Sequence, residues 1–325
     1  MTKRSGNMIK VDLITGFLGA GKTTFLLRYA KYLMAQGMKI GILVYDHGAV
    51  NVDLPLLKEL RGEQCELEML AGGCDPDCHR RRFRSKLIAM GMSGYDRVII
   101  EPSGVFDMDE YYDTLNEQPL DRWYEAGSVI AVVDAKLSAD ATKEEDFFLA
   151  SQAASAGCVL LSRVQFATDE EITETIDHLN RAAAAIHCPS IPESRILCKD
   201  WSELKEGEYE RLMNCGYHPT DYLKMIAGRL SEFQSLSFLE LPLGKSELEE
   251  KIRCLFRDAG YGRILRVKGF FREDGRWYQC NATAQEIRVE EVPENRAAIT
   301  VIGTGLNEEK ISILMTGKAP EHRIL

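Results

Sequence analysis

The sequence predicts an α/β protein: a mainly parallel sheet flanked by helices, followed by a small C-terminal α+β domain. Short apolar runs alternate with helical patterns in the first part, and a glycine-rich segment joins the first such run to the first helical pattern. After Leu236, closely spaced strands and a hairpin turn at 273–275 predict a mainly antiparallel sheet. We therefore predict domains at 1–205 and 236–325, joined by a helical connector at 206–235.

The segment GFLGAGKTT, residues 16–24, matches the P-loop pattern G-x-x-x-x-G-K-[ST] at every fixed position. A short apolar strand, Val11–Thr15, precedes it, and a helical pattern, Thr24–Leu33, follows it. Backbone amides and a helix N-terminus favour an anion, so we predict a P-loop NTPase domain. Lys22 would contact the β- and γ-phosphates, and the Thr23 hydroxyl would bind Mg²⁺. The predicted nucleotide-binding residues in this segment are Gly16, Gly19, Ala20, Gly21, Lys22, Thr23 and Thr24.

Two later strands end in carboxylates. Lys39–Tyr45 is followed by Asp46, and Arg97–Ile100 is followed by Glu101. In parallel α/β sheets the carboxyl ends of the strands face the ligand, so Glu101 is predicted to hold Mg²⁺ or its water, as a Walker B carboxylate does. Asp46 is predicted to assist, with a helix cap as the alternative. Gly104 would bring a backbone amide near the γ-phosphate. Lys22, Asp46 and Glu101 are the predicted catalytic residues.

A cysteine pair follows the third predicted strand, Cys65–Leu70. Cys74 and Cys78 are separated by Asp-Pro-Asp, and His79 follows directly. Thiolates and imidazole are ligands of Zn²⁺ and other borderline ions. The three arginines after His79 favour the thiolate form. We predict that Cys74 and Cys78 bind a metal, with a turn that contains two ordinary cysteines as the alternative.

Composition limits the classes of partner. The formal net charge is −10, which argues against a broad surface for nucleic acid or for an anionic membrane. No apolar run approaches the roughly 18 residues that span a bilayer. The N-terminal segment lacks the apolar stretch of a signal peptide, so we expect a cytoplasmic protein. The nine cysteines would then be thiols rather than disulfides.

Taken together, the motifs resemble a known family. GFLGAGKTT, YDHGAVNVD, GGCDPDC, IIEPSG and VVDA occur in the order that is typical of CobW-like (CobW/HypB/UreG) P-loop GTPases. LRVKGFF at 265–271 and AITVIGTGL at 298–306 also look like segments of that family's C-terminal part. The resemblance implies a nucleotide-driven metal chaperone, or a maturation factor for a metal or corrinoid enzyme.

The chain departs from the family pattern in its thiol and switch segments. The family's C-x-C-C run is represented here by Cys74 and Cys78, so the ligand geometry must differ. The family's N-E-F-G-E segment is similar to YDHGA here, where the first carboxylate survives as Asp46 and the second is replaced by Ala49.

The base-reading motif differs as well. The family's N-K-x-D appears as SRVQ, in which Ser162, Arg163 and Gln165 are the predicted base-binding residues. An aspartate accepts two hydrogen bonds from guanine, whereas the Gln165 amide offers one carbonyl acceptor. The sequence thus leaves GTP and ATP both open. Residues Lys199–Trp201, after a further predicted strand, are candidates for flanking the base.

These features predict a Mg²⁺-dependent hydrolase whose nucleotide is GTP or ATP. Its predicted cargo is Zn²⁺ or another transition metal. Its expected partners are the nucleotide and a client metalloenzyme or corrinoid protein, and a homodimer is left open. One alternative is a nucleotide-gated binding module that hydrolyses slowly and regulates a partner. Another is a small-molecule kinase that uses the same loop.

Overall fold

The computed structural model describes residues 8–46, 57–71, 76–106, 108–137, 141–220, 233–284, 286–293 and 297–319. The side chains of residues 46, 71, 76–79 and 233 lie outside this description. The described residues fall into two compact units, one up to residue 220 and one from residue 233.

The first unit is built on a seven-stranded sheet in which every pairing is parallel. The spatial order of the strands is β3-β2-β4-β1-β5-β6-β7, so the strand before the glycine-rich loop is central. The predicted fold class is confirmed. In chain order the strands are Ile9–Thr15 (β1), Ile40–Asp46 (β2), Cys65–Ala71 (β3), Arg97–Glu101 (β4), Tyr124–Asp134 (β5), Cys158–Ser162 (β6) and Ile196–Leu197 (β7).

Helices flank this sheet and bury its apolar strands. Two of them begin with a complete capping box, Thr142 with Glu145 and Thr168 with Glu171, which satisfies backbone amides at the helix start. The helices are Lys22–Ala35 (α1), Pro76–Gly91 (α2), Met108–Asn116 (α3), Lys143–Ser155 (α4), Asp169–Ala185 (α5) and Glu206–Met213 (α6). Short 3-10 turns occur at Lys58–Leu60, Leu120–Arg122, Val164–Phe166, Glu193–Arg195 and Trp201–Glu203.

A buried ion pair lies in the middle of the sheet. Asp12 of β1 is 0% exposed and Arg97 of β4 is 5% exposed. The Arg97 guanidinium donates to both Asp12 carboxylate oxygens at 2.6 Å. The same carboxylate accepts hydrogen bonds from the Tyr29 hydroxyl of α1 at 2.8 Å and from the Ser128 amide of β5 at 2.7 Å. The Met213 carbonyl, at the end of α6, accepts from Arg97 and from the Ser128 hydroxyl. The network therefore joins three strands and two helices.

The second unit contains a five-stranded antiparallel sheet in the order β11-β10-β9-β12-β8. Leu248, Ile252 and Leu255 form one buried face of its first helix and belong to the core of this unit. The predicted α+β character is thus confirmed. The elements are Phe233–Leu239 (β8), Lys245–Arg257 (α7), Arg263–Glu273 (β9), Arg276–Ala282 (β10), Ile287–Val292 (β11), Ala298–Thr304 (β12) and Glu308–Thr316 (α8).

The structure contains helices that the sequence analysis does not name, and α3 and α4 are among them. α4 is buried on most of its circumference and carries small or polar residues there, so it lacks the amphipathic pattern of a surface helix. Helix α6 contacts β5 and belongs to the first unit. Part of the predicted connector at 206–235 lies outside the described residues, and the domain limits stay a prediction.

Within the described ranges, no helix combines the length and the apolar character that a membrane-crossing segment requires.

We expect Arg97→Met to lower the free energy of unfolding by about 3–5 kcal/mol, because the buried Asp12 carboxyl would lose its ionic partner. Lys31→Met is the control, since Lys31 pairs with Glu59 at 2.6 Å but both side chains are more than half exposed. That variant should lose less than about 1 kcal/mol. Urea unfolding of both variants measures the difference, and equal losses would contradict the role assigned to the buried pair.

Candidate functional site

The loop between β1 and α1 requires glycine at defined positions. Gly16, Gly19 and Gly21 have φ values of 143°, 82° and 102°, which L side chains rarely adopt. A Cβ added to Gly16 would lie 2.2 Å from the Val132 carbonyl oxygen of β5. Ala20, between the last two glycines, is buried. The loop therefore packs closely against β5.

Lys22 and Thr23 begin α1 and point toward different parts of the site. The Lys22 ammonium donates to the carbonyl oxygens of Gly16 at 2.8 Å and of Phe17 at 3.4 Å, inside the loop, and the residue is 7% exposed. The Thr23 hydroxyl donates to Glu101 Oε1 at 2.6 Å. Thr24 is exposed on the helix surface. This arrangement joins the start of α1 to the end of β4.

The sheet order brings the carboxylate-bearing strands side by side. Glu101 ends β4 and is buried, and Val44 of β2 lies opposite it in the parallel register. Asp46 ends β2 beyond that point, although its side chain lies outside the described residues. Ala71 lies opposite Asp46, so the segment that leads from β3 to Cys74 starts at the same edge of the sheet.

The turn after Glu101 touches the phosphate loop directly. A Cβ added to Gly104 would lie 2.5 Å from the Leu18 backbone nitrogen, so only glycine fits without a shift. The Gly104 carbonyl accepts a hydrogen bond at 3.2 Å from Gln152, a residue of α4 that the sequence analysis did not single out. Because α4 lacks a single apolar stripe, no local pattern in the sequence marks this residue.

At the opposite side of the phosphate loop, Arg163 connects three segments. Its backbone is left-handed, with φ 58°. Its guanidinium pairs with the Asp134 carboxylate at the end of β5 and donates to the Gly19 carbonyl at 3.2 Å. Ser162, at the end of β6, is buried, and its hydroxyl has no hydrogen-bond partner among the described residues. Gln165 is exposed in the following 3-10 turn.

Trp201 closes this side of the loop. Its indole nitrogen donates to the Leu161 carbonyl at 2.9 Å, and its ring lies edge-on to Phe25 at 5.5 Å. A Cβ added to Gly21 would meet the ring at 3.2 Å. The structure thus brings Trp201 beside Ser162 and the phosphate loop, which is the region where the sequence analysis places the base.

An aromatic cluster connects the strand ends with helix α2. We use this name for Tyr45, Phe83 and Phe106, which are all buried. Ring centroids are 5.5 Å apart for Tyr45–Phe83, 5.7 Å for Tyr45–Phe106 and 6.4 Å for Phe83–Phe106. Burial, and then the nearby Glu110 carboxylate, raise the pKa of the Tyr45 hydroxyl, which therefore stays a donor to Glu110 at 3.3 Å.

The predicted thiol pair falls at the limit of the described residues. Cys74 lies outside them, and Cys78 lies in α2 with an undescribed side chain. Among the described residues, no three His, Cys, Asp or Glu side chains form a group that could hold a metal ion. Burial raises the pKa of the Cys65 thiol to about 11 and that of the Cys280 thiol to about 12, so both stay neutral and are poor ligands.

The fold and this loop define the class of the protein. A glycine-rich loop between the first strand and first helix of a parallel sheet, with a lysine and a threonine at the helix start, is the phosphate-binding device of P-loop NTPases. The chain belongs to the CobW/HypB/UreG family, because residues 10–187, more than half of the chain, match that family's nucleotide-binding domain. The predicted resemblance is confirmed.

Two curated relatives and a solved structure are similar to this chain. The zinc chaperone YjiA of Escherichia coli K12 is 29% identical over 187 residues, which cover 54% of this chain and 56% of that protein. The zinc-regulated GTPase metalloprotein activator 1 of Dictyostelium discoideum is 23% identical over 321 residues, 82% of this chain and 63% of that protein. The chain thus spans less than two thirds of either relative. The Zn(II)-bound YjiA GTPase from E. coli aligns over 96% of this chain and 99% of that chain, at 22% identity and a TM-score of 0.35.

We expect Gly16→Ala to weaken nucleotide binding by tenfold or more, about 1.4 kcal/mol, because the new Cβ would push the loop away from β5. Gly37→Ala is a matched control, since Gly37 also has a positive φ, 79°, but a Cβ there meets nothing within 4 Å. It should cost about 1–2 kcal/mol of stability through backbone strain and leave nucleotide affinity unchanged. Titration calorimetry measures the affinities, and a similar loss in both variants would count against the steric explanation.

Proposed function

We propose that this chain is a Mg²⁺-dependent nucleotide hydrolase that couples GTP binding and hydrolysis to delivery of zinc, or another transition metal, to a client metalloenzyme or corrinoid protein. The observation that carries this proposal is the 2.6 Å hydrogen bond between Thr23 and Glu101, beside the phosphate loop. Relatives that are named zinc chaperone and zinc-regulated GTPase support the cargo and the nucleotide.

In the proposed reaction the loop amides and Lys22 stabilise charge on the transferred phosphoryl group. Lys22 is already held at the loop by two carbonyl contacts, so its ammonium needs little rearrangement to reach a phosphate. Glu101 and Asp46, at the ends of adjacent strands, would orient the attacking water. The two strands place both residues at one edge of the sheet.

The residues present suit Mg²⁺. Thr23 and Glu101 offer a hydroxyl and a carboxylate, which are the hard oxygen donors that this ion prefers. They would hold the ion on the protein side, with phosphate oxygens and waters as its other ligands. When bound, Mg²⁺ would supply positive charge that stabilises the phosphate oxygens.

Cys74 and Cys78 are the proposed cargo ligands. They flank the start of α2, and Phe83 of the same helix belongs to the aromatic cluster. Through Tyr45 and Phe106 that cluster contacts the strand that ends at Asp46 and the turn that carries Gly104. Packed aromatic rings transmit displacement because the core has no free volume to absorb it. A change at the γ-phosphate would thus alter the geometry of the thiol segment.

Zinc titration in the presence of Mg²⁺ tests the proposal. We expect zinc affinity to differ at least about tenfold between the GTP-analogue and GDP forms, and zinc to change the affinity ratio for the two nucleotides by the same factor. Cys74→Ser combined with Cys78→Ser should abolish tight zinc binding, because the thiolate ligands are gone.

The control is Cys198→Ser combined with Cys254→Ser, which removes two exposed thiols and should leave zinc binding unchanged. Equal zinc affinity in both nucleotide forms would overturn the chaperone proposal. Fast hydrolysis without any effect of zinc or of the thiols would leave a simple hydrolase.

The base side of the site gives a second prediction. We expect Gln165→Asp to raise the preference for GTP over ATP about tenfold, because a carboxylate can accept two hydrogen bonds from guanine. The side chain is exposed, so the substitution creates no buried charge. Competition binding with GTP, ATP and their diphosphates measures the ratio. An unchanged ratio would mean that the base is read by other residues.

A further inference from the structure

Gln152 is a buried amide in α4 that donates hydrogen bonds to the turn after Glu101. The residue is 1% exposed. Its Nε2 donates to the Gly104 carbonyl at 3.2 Å and to the Phe106 carbonyl at 3.4 Å. One side chain from a different element therefore holds both ends of a turn of three residues. Buried backbone carbonyls require such a donor, and the strand pairings do not provide one here.

The position of this turn has consequences on two sides. Gly104 has no room for a side chain toward the phosphate loop, since an added Cβ would lie 2.5 Å from Leu18 N. Phe106 packs into the aromatic cluster with Tyr45 and Phe83. The Gln152 amide thus sets where the turn lies between the phosphate loop and helix α2.

The carbonyl oxygen of the same side chain gives a second observation. Gln152 Oε1 is buried and has no hydrogen-bond partner among the described residues. A buried carbonyl oxygen without a donor lowers stability, so a residue that served packing alone would be better replaced by an apolar one.

We propose that Gln152 is a positioning residue: it holds the Gly104 turn in the geometry that distinguishes a nucleoside triphosphate from a diphosphate. It acts through the turn and does not touch the nucleotide itself. The inference rests on the proposed function, because it requires that the γ-phosphate be recognised at this turn.

The test compares the affinity of a non-hydrolysable GTP analogue with that of GDP, in Mg²⁺, for the full chain. Gln152→Met keeps the approximate volume and removes the donors, and we expect the analogue-to-GDP affinity ratio to fall about fivefold. Gln152→Glu should reduce it further, since a carboxylate would face two carbonyl oxygens. GDP affinity should stay within about twofold in both variants, because GDP lacks the phosphate that the turn recognises.

Two further variants separate positioning from stability. Gln152→Asn keeps an amide donor on a shorter side chain and should restore part of the ratio. Thr175→Val is the matched control, because the buried Thr175 hydroxyl likewise holds a loop, donating to the Ala135 carbonyl at 2.9 Å and accepting from the Leu137 amide at 3.2 Å. It should lower the melting temperature and leave the ratio unchanged.

The outcomes distinguish the inference from the proposed function. A wild-type chain that prefers the triphosphate, with the same preference in Gln152→Met and Gln152→Glu, overturns the role of Gln152 alone. Ratios that follow the melting temperature across all variants, including Thr175→Val, overturn it too. A wild-type chain without any preference for the triphosphate also overturns the inference, whereas the proposed function is overturned by equal zinc affinity in the two nucleotide forms.

Discussion

The buried pair of Asp12 and Arg97 is the contact on which the rest of the first unit depends. Burial raises the pKa of the Asp12 carboxyl because water no longer solvates its charge, while the Arg97 guanidinium and the hydrogen bonds from Ser128 and Tyr29 oppose the rise. An ion pair at this depth is stable only when each charge keeps its partner. The ion pair therefore links β1, which enters the phosphate loop, to β4, which ends at Glu101. Close approach at Gly127, whose added Cβ would lie 2.4 Å from Asp12 Oδ1, completes the enclosure.

The phosphate side of the site is built on these two strands by close backbone contacts. Gly16 meets β5 and Gly104 meets Leu18 at distances that exclude any side chain. The loop therefore packs closely on both flanks, and the hydrogen bond of Thr23 with Glu101 joins the start of α1 to the end of β4. The base side is built differently. Arg163 uses a flexible side chain to join Asp134 and Gly19, and the exposed Gln165 stands free of the sheet. Substitution is tolerated more easily in such a loop than in the packed phosphate loop.

Most of the phosphate side could be predicted from the sequence, because its chemistry is local. Residues 16–24 form a loop and helix start that depend on glycine and on a helix N-terminus, and the strand before them is a continuous apolar run. Glu101 was predictable for the same reason, as a carboxylate at the end of such a run. α3 and α4 were not. α3 is rich in Tyr, Asp and Asn, which are weak helix formers, and α4 is surrounded by protein and so shows no single apolar stripe.

The sequence by itself determined the class of the protein and the position of the phosphate loop, since both depend on residues that are adjacent in the chain. Only the tertiary structure decided which distant residues complete the site. Gln152 reaches the Gly104 turn across 48 positions of chain, and Trp201 lies against a loop that ends far earlier in the sequence. The strand order that brings them together is set by buried pairing across the sheet, and no local pattern encodes a contact between elements that far apart.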